Sequence, residues 1–115
     1  MRAECIDLCL DRLTKTEGRI RAILVNSGQA NACTGPRGLQ DSLLATKALA
    51  DQLNISPEKV LICSTGVIGE PIPIKNLLQG LGALVDDLSN EGGSRVAKAI
   101  LTTDLQKKEI AIEYV

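Results

Sequence analysis

The sequence predicts an α/β fold, with α+β as the alternative, in a layered helix-sheet domain. Two β-rich runs, Ile20 to Asn26 and Val60 to Cys63, flank a segment of helical periodicity that begins at Leu39. Further helical segments follow the second run, and such alternation of strands and helices is typical of this class. At 115 residues the chain is one domain at most. The predicted order is β-loop-α-β-turn-α-α-β.

The composition limits how the core can be packed. The chain has no Phe and no Trp, and Tyr114 is its only aromatic residue. Aromatic side chains supply much of the buried area in most cores, so Leu, Ile, Val and Ala must do the packing here. Such an interior suits helices lying closely on a sheet, and it equally suits one piece of a larger core. Composition alone leaves both alternatives open.

The N-terminal part is predicted from its periodicity and its glycines. The spacing of apolar residues in Ala3 to Leu13 fits partly the period of a strand and partly that of a helix. We predict a short strand followed by a helical turn. A polar turn follows at Thr14 to Gly18. The strand Ile20 to Asn26 contains the apolar run Ala22 to Val25, as a strand covered on both faces would. Ser27 to Gly38 has three glycines and one proline, which predicts a loop.

The middle of the chain reads as a helix and a second strand. Leucines and alanines recur at three- to five-residue steps from Leu39, and this helix should end near Leu53-Asn54, before the Ser56-Pro57 turn. The strand Val60 to Cys63 is expected to stop at a Ser64-Thr65-Gly66 turn. A hydroxyl and an unhindered glycine amide at a strand end are well suited to hold a developing negative charge.

Two more helices and a strand complete the prediction. Ile74 to Leu88 has a helical pattern that Gly80 and Gly82 weaken by about 1 kcal/mol each. After a break at residues 91–93, Ser94 is expected to cap a third helix that ends at Leu101. Glu109 to Tyr114 alternates between polar and apolar residues and predicts an edge strand.

The charge pattern gives little support to nucleic-acid or membrane binding. The 13 basic and 14 acidic residues are well mixed, without a basic stripe. No apolar run approaches the ~18 residues of a membrane span. Glu4, Asp7 and Asp11 interrupt the N-terminus where a signal peptide needs apolar residues. We therefore expect a soluble cytoplasmic protein.

Three segments place small polar residues at the ends of predicted elements: Asn26 to Gly35, Ser64 to Gly69, and Thr102 to Asp104. If the two strands are neighbours, the first two segments emerge at the same edge of the sheet, where α/β proteins usually bind ligands. Each segment also has a purely structural interpretation. These are a tight turn, a strand-to-loop cap and a helix end, respectively.

A complete catalytic set within the chain is not expected. There is no histidine, so neither a Ser-His nor a Cys-His couple can form, and only Lys59 or Lys75 could act as a base. An enzyme using Cys63 would show rapid alkylation of that thiol, and we expect slow alkylation. The four cysteines are interpreted as small reduced residues, with no metal site. Rossmann and phosphate-loop motifs are absent from the sequence.

The order of three motifs identifies a family resemblance. VNSGQANACTG (Val25 to Gly35), STGVIGEPIPI (Ser64 to Ile74) and AKAILTTD (Ala97 to Asp104) resemble the bifunctional ornithine acetyltransferase/N-acetylglutamate synthase family of arginine biosynthesis. The similarity extends from Arg2 to about Ile112. The resemblance implies an enzyme that cleaves itself autocatalytically into two chains. The new terminal threonine is then the nucleophile and its own α-amino group is the base.

The resemblance also implies substrates, partners and site residues. Acetyl passes from N-acetylornithine to the threonine and then to glutamate, without a cofactor, and acetyl-CoA serves as a further substrate in bifunctional members. Thr65 and Gly66 match the oxyanion-hole pair of the family. Thr102 or Thr103 matches a substrate contact, with Thr102 favoured. Asn26 to Gly35 resembles a structural loop near the same region, and the whole enzyme is an α2β2 hetero-oligomer.

The chain departs from the family pattern in two respects. Leu105 to Lys108 stand where the family has T-x-P-K after the TTD motif. Residues 1–115 also resemble only the central part of the family's α chain, as a single partial domain without the nucleophile-bearing β chain. We therefore expect a fragment that is inactive alone. The alternative is a non-enzymatic binding or subunit module on the same scaffold.

Overall fold

The computed structural model describes residues 2–115, with helices and strands in the order α-β-α-β-α-α. A short 3₁₀ turn at Pro57–Lys59 precedes the second strand. The class predicted from the sequence, α/β, is confirmed. The elements are α1 (Glu4–Lys15), β1 (Ala22–Gln29), α2 (Gly35–Leu53), β2 (Val60–Val67), α3 (Ile74–Asp86) and α4 (Gly93–Ala99).

The two strands are direct neighbours and run parallel. Their register places Ala22 opposite Val60 and continues without a break to Gln29 opposite Val67. Helix α2 lies in the connection between them, as a parallel pair requires. Since parallel strands end at the same edge, the segments that follow β1 and β2 meet there, as the sequence predicted.

One face of this sheet forms the core. Leu24, Val60 and Ile62 point to the same side, and each is at most 3% exposed. They pack with side chains of α1, α2 and α3, and the cluster of buried residues consists of Cys5, Leu8, Leu24, Ala45, Leu49, Ala50, Val60, Ile62 and Leu81. The other face, called the open face below, is covered only in part, because the end of α3 and α4 approach Val25 and Ser27 on it. Ile23 on this face is 62% exposed. The prediction that this strand is covered on both faces is therefore wrong for the described residues.

The first element is a helix, so the predicted strand at Ala3 to Leu13 is wrong. Cys5, Leu8, Cys9 and Arg12 recur at three- and four-residue steps, and this face packs against β2. Arg12 is buried and donates a hydrogen bond to the Val60 carbonyl oxygen at 2.6 Å. The Cys9 thiol donates to the Ile62 carbonyl at 3.3 Å. Burial, and next the nearby Cys9, raises the pKa of the Cys5 thiol.

Both strands are longer than predicted. β2 continues through Ser64, Thr65 and Gly66 to Val67, so these residues are extended and do not form a turn. β1 likewise includes residues 27–29 of the predicted loop. The two strands are paired along their whole length, so the backbone N–H and C=O groups of the small polar residues in one strand find hydrogen-bond partners in the other. This long-range pairing overrides the local preference of Ser and Gly for turns.

The helix bounds are partly confirmed. α2 ends at Leu53 as predicted, with Asn54 in the left-handed conformation, but it begins at Gly35 and not at Leu39. α3 begins at Ile74 as predicted and ends two residues early, at Asp86. α4 is capped at Gly92 and not at Ser94, and it ends at Ala99. The predicted edge strand at Glu109 to Tyr114 does not form within residues 2–115. Of the helices in those residues, none combines the length and hydropathy needed to span a membrane.

Candidate functional site

An open cleft of about 630 Å³ lies where the two strands end. It is lined by β1, β2 and the segment after α4, so residues from all three segments selected from the sequence meet there. Thr65, Gly66, Thr102 and Thr103, the four predicted site residues, all line it. The lining residues are Ser27, Gly28, Thr65, Gly66, Val67, Leu101, Thr102 and Thr103.

The strand register brings the two halves of the cleft floor together. Ser27 is paired with Thr65, and Gly28 is paired with Gly66. Because side chains alternate along a strand, Ser27 and Thr65 lie on the open face of the sheet, the face that carries Ile23. Thr65 lies within β2, so its interpretation as a strand-to-loop cap is wrong.

Gly66 allows the two strands to approach closely at its pairing with Gly28. Gly66 has a φ of 130°, and a Cβ atom there would lie 2.3 Å from both the carbonyl carbon and the carbonyl oxygen of Gly28. No real Cβ tolerates that distance from backbone atoms. Gly28 has a φ of 123°, but a Cβ built there meets nothing within 4 Å. The constraint is therefore asymmetric: only Gly66 is required by direct contact.

Hydrogen bonds join β1 to β2, and the loops after them to each other, next to the paired cleft residues. Ser64 Oγ donates to Asn26 Oδ1 at 2.6 Å across the two strands. Beyond the strands, the Ala30 amide donates to the Val67 carbonyl at 2.9 Å. The Gly69 amide donates to the Ala32 carbonyl at 2.8 Å. The loops that follow the two strands are thus joined to each other.

The loop after β1 is anchored to α2 by Asn31. This side chain is 1% exposed, and its Nδ2 donates to the Gly38 carbonyl and to Ser42 Oγ, both at 3.0 Å. Asn31 itself has a φ of 53°, a left-handed conformation that asparagine adopts more readily than most residues. Of the segment Asn26 to Gly35, only Ser27 and Gly28 line the cleft.

Ser27 explains how the third segment reaches the cleft. Its Oγ donates to the carbonyl oxygen of Ala99 at 2.9 Å, across 72 positions of sequence. Ala99 is the last residue of α4, where carbonyls have no partner within the helix. The bond therefore holds the end of α4, and with it Leu101 to Thr103, against the end of β1. The sequence analysis missed this role, because a serine after a strand gives no signal of a distant partner.

The cleft is lined by serine and threonine residues, two glycines and apolar residues, and none of its lining side chains is ionisable at neutral pH. Such a lining can orient a polar ligand and donate hydrogen bonds to it, but it holds no side chain that would act as a general base at neutral pH. Within residues 2–115, no group of three His, Cys, Asp or Glu residues is placed to hold a metal ion. Lys59 and Lys75 do not line the cleft.

Comparisons with known proteins agree on one family. The profile of the ArgJ family matches residues 1–115. The chain is 69% identical over 113 residues to the arginine biosynthesis bifunctional protein ArgJ of one strain of Prochlorococcus marinus, covering 98% of this chain and 27% of that protein. It is 50% identical over 113 residues to the same protein of Synechocystis, again covering 98% of this chain and 27% of that protein.

Solved structures show the same similarity. The crystal structure of ornithine acetyltransferase complexed with ornithine from Mycobacterium tuberculosis is 38% identical, with a TM-score of 0.86, over 91% of this chain and 57% of that one. ArgJ from Bacillus halodurans is 36% identical, with a TM-score of 0.80, over 91% and 55%. The chain spans about a quarter of the length of these curated relatives and little more than half of the solved chains.

Proposed function

The chain belongs to the ArgJ family, and from this we propose that it supplies the oxyanion hole of a glutamate N-acetyltransferase of arginine biosynthesis. In the whole enzyme, acetyl would pass from N-acetylornithine to a threonine nucleophile and then to glutamate. The observation that carries the proposal is the convergence of Thr65, Gly66, Thr102 and Thr103 on one cleft. The ornithine bound to the Mycobacterium tuberculosis relative supports the substrate class.

The proposed roles follow from what each group can donate. Attack on the acetyl carbonyl creates a negatively charged oxygen, which the Thr65 hydroxyl and the Gly66 amide would stabilise by donating hydrogen bonds. These donors are held in place by the paired strands, so little reorganisation is needed during the reaction. Thr102, or Thr103 beside it, would contact the substrate from the segment after α4, which also lines the cleft.

The cleft-lining side chains include hydroxyl groups but no group that could act as a base at neutral pH, and we propose that the nucleophile and its base come from outside these residues. A terminal threonine with its own α-amino group, produced by autocatalytic cleavage of the precursor, would supply both. We propose that this group lies on a β chain, that the assembled enzyme is an α2β2 hetero-oligomer, and that acetyl-CoA serves as a second acetyl donor. The open sheet face around Ile23 supports such a partner, because it exposes apolar side chains.

The direct test is acetyl transfer from N-acetylornithine to glutamate. We would assay this chain alone, and together with the co-expressed remaining segments of the 69% identical Prochlorococcus marinus ArgJ protein, in which the second chain would begin at the threonine nucleophile. We expect activity only in the mixture. Transfer by the chain alone would show that residues 1–115 supply their own nucleophile and would contradict the proposal. Inactivity of a soluble, associated mixture would favour the non-enzymatic subunit module.

Point variants are best measured in a chimera in which this chain replaces the 113 residues that it matches in the 69% identical Prochlorococcus marinus ArgJ protein. For Ser27→Ala we expect the KM for N-acetylornithine to rise up to about 10-fold, because one hydrogen bond of about 0.5–1.5 kcal/mol no longer holds Thr102 and Thr103. The value of kcat should change less, since Thr65 and Gly66 remain in place.

The control for Ser27→Ala is Ser56→Ala, which removes an exposed hydroxyl that makes no capping hydrogen bond and does not line the cleft. Steady-state kinetics should show wild-type values for this control. Equal KM values for Ser27→Ala and Ser56→Ala would show that the bond to Ala99 does not position Thr102 and Thr103.

A further inference from the structure

The side chain of Asn26 joins the ends of the two strands. Its register partner is Ser64, whose Oγ donates to Asn26 Oδ1 at 2.6 Å across the strands. Asn26 Nδ2 donates in turn to the carbonyl oxygen of Gln29, at 3.3 Å and within β1 itself. The orientation of the amide follows from these partners, because exchanging its oxygen and nitrogen would set two acceptors against each other at Gln29. One half-buried side chain thus connects β2 to the last residue of β1.

The bond from Asn26 to Gln29 requires a bend at Gly28. In a straight strand, residues three apart are separated by about 10 Å and point to opposite faces. An asparagine side chain is too short to reach the Gln29 carbonyl in that geometry. Gly28 lies between the two residues, and its φ of 123° is one that residues with a side chain rarely adopt. The Asn26 amide therefore holds the bent conformation of this part of β1.

The peptide that Asn26 holds is the one that Gly66 packs against. A Cβ atom at Gly66 would lie 2.3 Å from the carbonyl carbon and oxygen of Gly28, and 2.8 Å from the amide nitrogen of Gln29. Asn26 thus fixes the backbone at Gly66 from two sides. One is the 28–29 peptide in β1, and the other is Ser64, two residues earlier in β2.

Asn26 lies behind the cleft and not in it. Side chains alternate along a strand, so Asn26 shares the core face with Leu24, whereas Ser27 and Thr65 lie on the open face. Asn26 is also outside the set of residues that line the cleft. It can act on a ligand there only through the backbone that carries Thr65 and Gly66.

The Gly66 amide is directed away from β1. The carbonyls of Val60 and Ile62 point to the outer edge of β2, where they accept hydrogen bonds from Arg12 and Cys9 of α1. Since the backbone groups of a strand alternate between its two edges, Gly66 directs its N–H group to the same outer edge. Rotation of this peptide would change where the N–H group points.

We propose that Asn26 is a positioning residue of the oxyanion hole, which sets the direction of the Gly66 amide and the place of the Thr65 hydroxyl. The inference rests on the proposed function, which makes these two groups the donors to the developing negative charge. Such donors work because they are already in place when the charge forms. A displacement of about 1 Å can lower a rate by on the order of 100-fold. Asn26 then contributes to turnover without touching the substrate.

Steady-state kinetics of Asn26→Ala in the chimera test this role. We expect kcat to fall by about 10- to 100-fold, and the KM for N-acetylornithine to stay within about threefold because Thr102 and Thr103 are not displaced. Ser64→Ala removes only the bond between the strands and should lower kcat by a smaller factor. The control is Asn76→Ala, at an exposed asparagine of α3 outside the cleft lining, and it should show wild-type values. Wild-type kcat in both Asn26→Ala and Ser64→Ala would overturn the proposal.

A double-mutant cycle separates positioning from a general loss of stability. If Asn26 acts by placing the Thr65 hydroxyl, Asn26→Ala should lower kcat by a smaller factor in a Thr65→Ala background than in the unsubstituted chimera. The same factor in both backgrounds would show that Asn26 acts elsewhere. Urea unfolding reports whether each variant is folded, and if Asn26→Ala is not, the same cycle with Ser64→Ala decides the question.

The outcomes also distinguish this inference from the proposed function. If Thr65→Ala lowers turnover and Asn26→Ala does not, the positioning role is wrong and the acetyl transfer proposal stands. If Thr65→Ala leaves turnover unchanged in an active chimera, the oxyanion role fails and the inference fails with it.

Discussion

Thr65→Ala in the chimera is expected to lower kcat for acetyl transfer by on the order of 100- to 1,000-fold. The hydroxyl would donate to an oxygen that carries full negative charge only in the tetrahedral intermediate, so its loss weakens binding of the transition state more than binding of the substrate. The KM for N-acetylornithine should therefore change little. Steady-state kinetics separate the two constants.

Two variants control the Thr65→Ala experiment. Thr65→Ser keeps a hydroxyl at the same position of β2 and should recover most of the lost turnover. Cys63→Ser alters an exposed thiol two residues earlier on the same open sheet face, and it should leave turnover unchanged. Unchanged turnover in Thr65→Ala would remove the oxyanion role. Loss of turnover in Cys63→Ser would favour a cysteine-dependent enzyme.

Gly66→Ala is expected to destabilise the fold by more than about 4 kcal/mol, the range reached when a substitution cannot be accommodated. The added Cβ would lie 2.3 Å from the carbonyl carbon of Gly28, and both atoms belong to paired strands that cannot move apart cheaply. The φ of 130° adds strain of its own. Urea unfolding of the chain, followed by circular dichroism, measures the effect.

Gly28→Ala provides the matched comparison for Gly66→Ala. It has nearly the same backbone conformation, with a φ of 123°, but its Cβ would meet no atom within 4 Å. Its free energy of unfolding should therefore fall only by the cost of backbone strain, about 1–3 kcal/mol. Equal unfolding midpoints for the two variants would show that contact between the strands is not what requires glycine at position 66.

Some of the fold could be predicted because its signals are local. Ala22 to Val25 and Val60 to Cys63 are rich in β-forming residues, and both lie in the observed strands. Helix α2 ends at Leu53 because Asn54 adopts the left-handed conformation there. Helix α1 was missed because its inner face includes Arg12, a residue that is rarely buried. Only its contact with the Val60 carbonyl explains that position.

For the site, the identity of the residues was predictable from the sequence, but their arrangement in space was not. The motifs around Thr65 and Thr102 identified the four candidate residues by resemblance. The sequence placed the Asn26 and Ser64 segments at one sheet edge only on the condition that the two strands are neighbours, and it did not place Thr102. Their convergence depends on two long-range features: the register of β1 with β2, and the bond from Ser27 to Ala99. Neither can be predicted from residues near the motifs.

The sequence by itself determined the class of fold, the two strands, the family resemblance and the identity of the candidate residues. These depend on the periodicity and order of neighbouring residues, which a linear chain displays in full. Only the tertiary structure decided that Ser64 to Gly66 extend a strand, that Gly66 must lack a side chain, and that Glu109 to Tyr114 remain unpaired within the described part of the chain. Each of these outcomes depends on hydrogen bonds and contacts between distant parts of the chain, and such partners are set by folding.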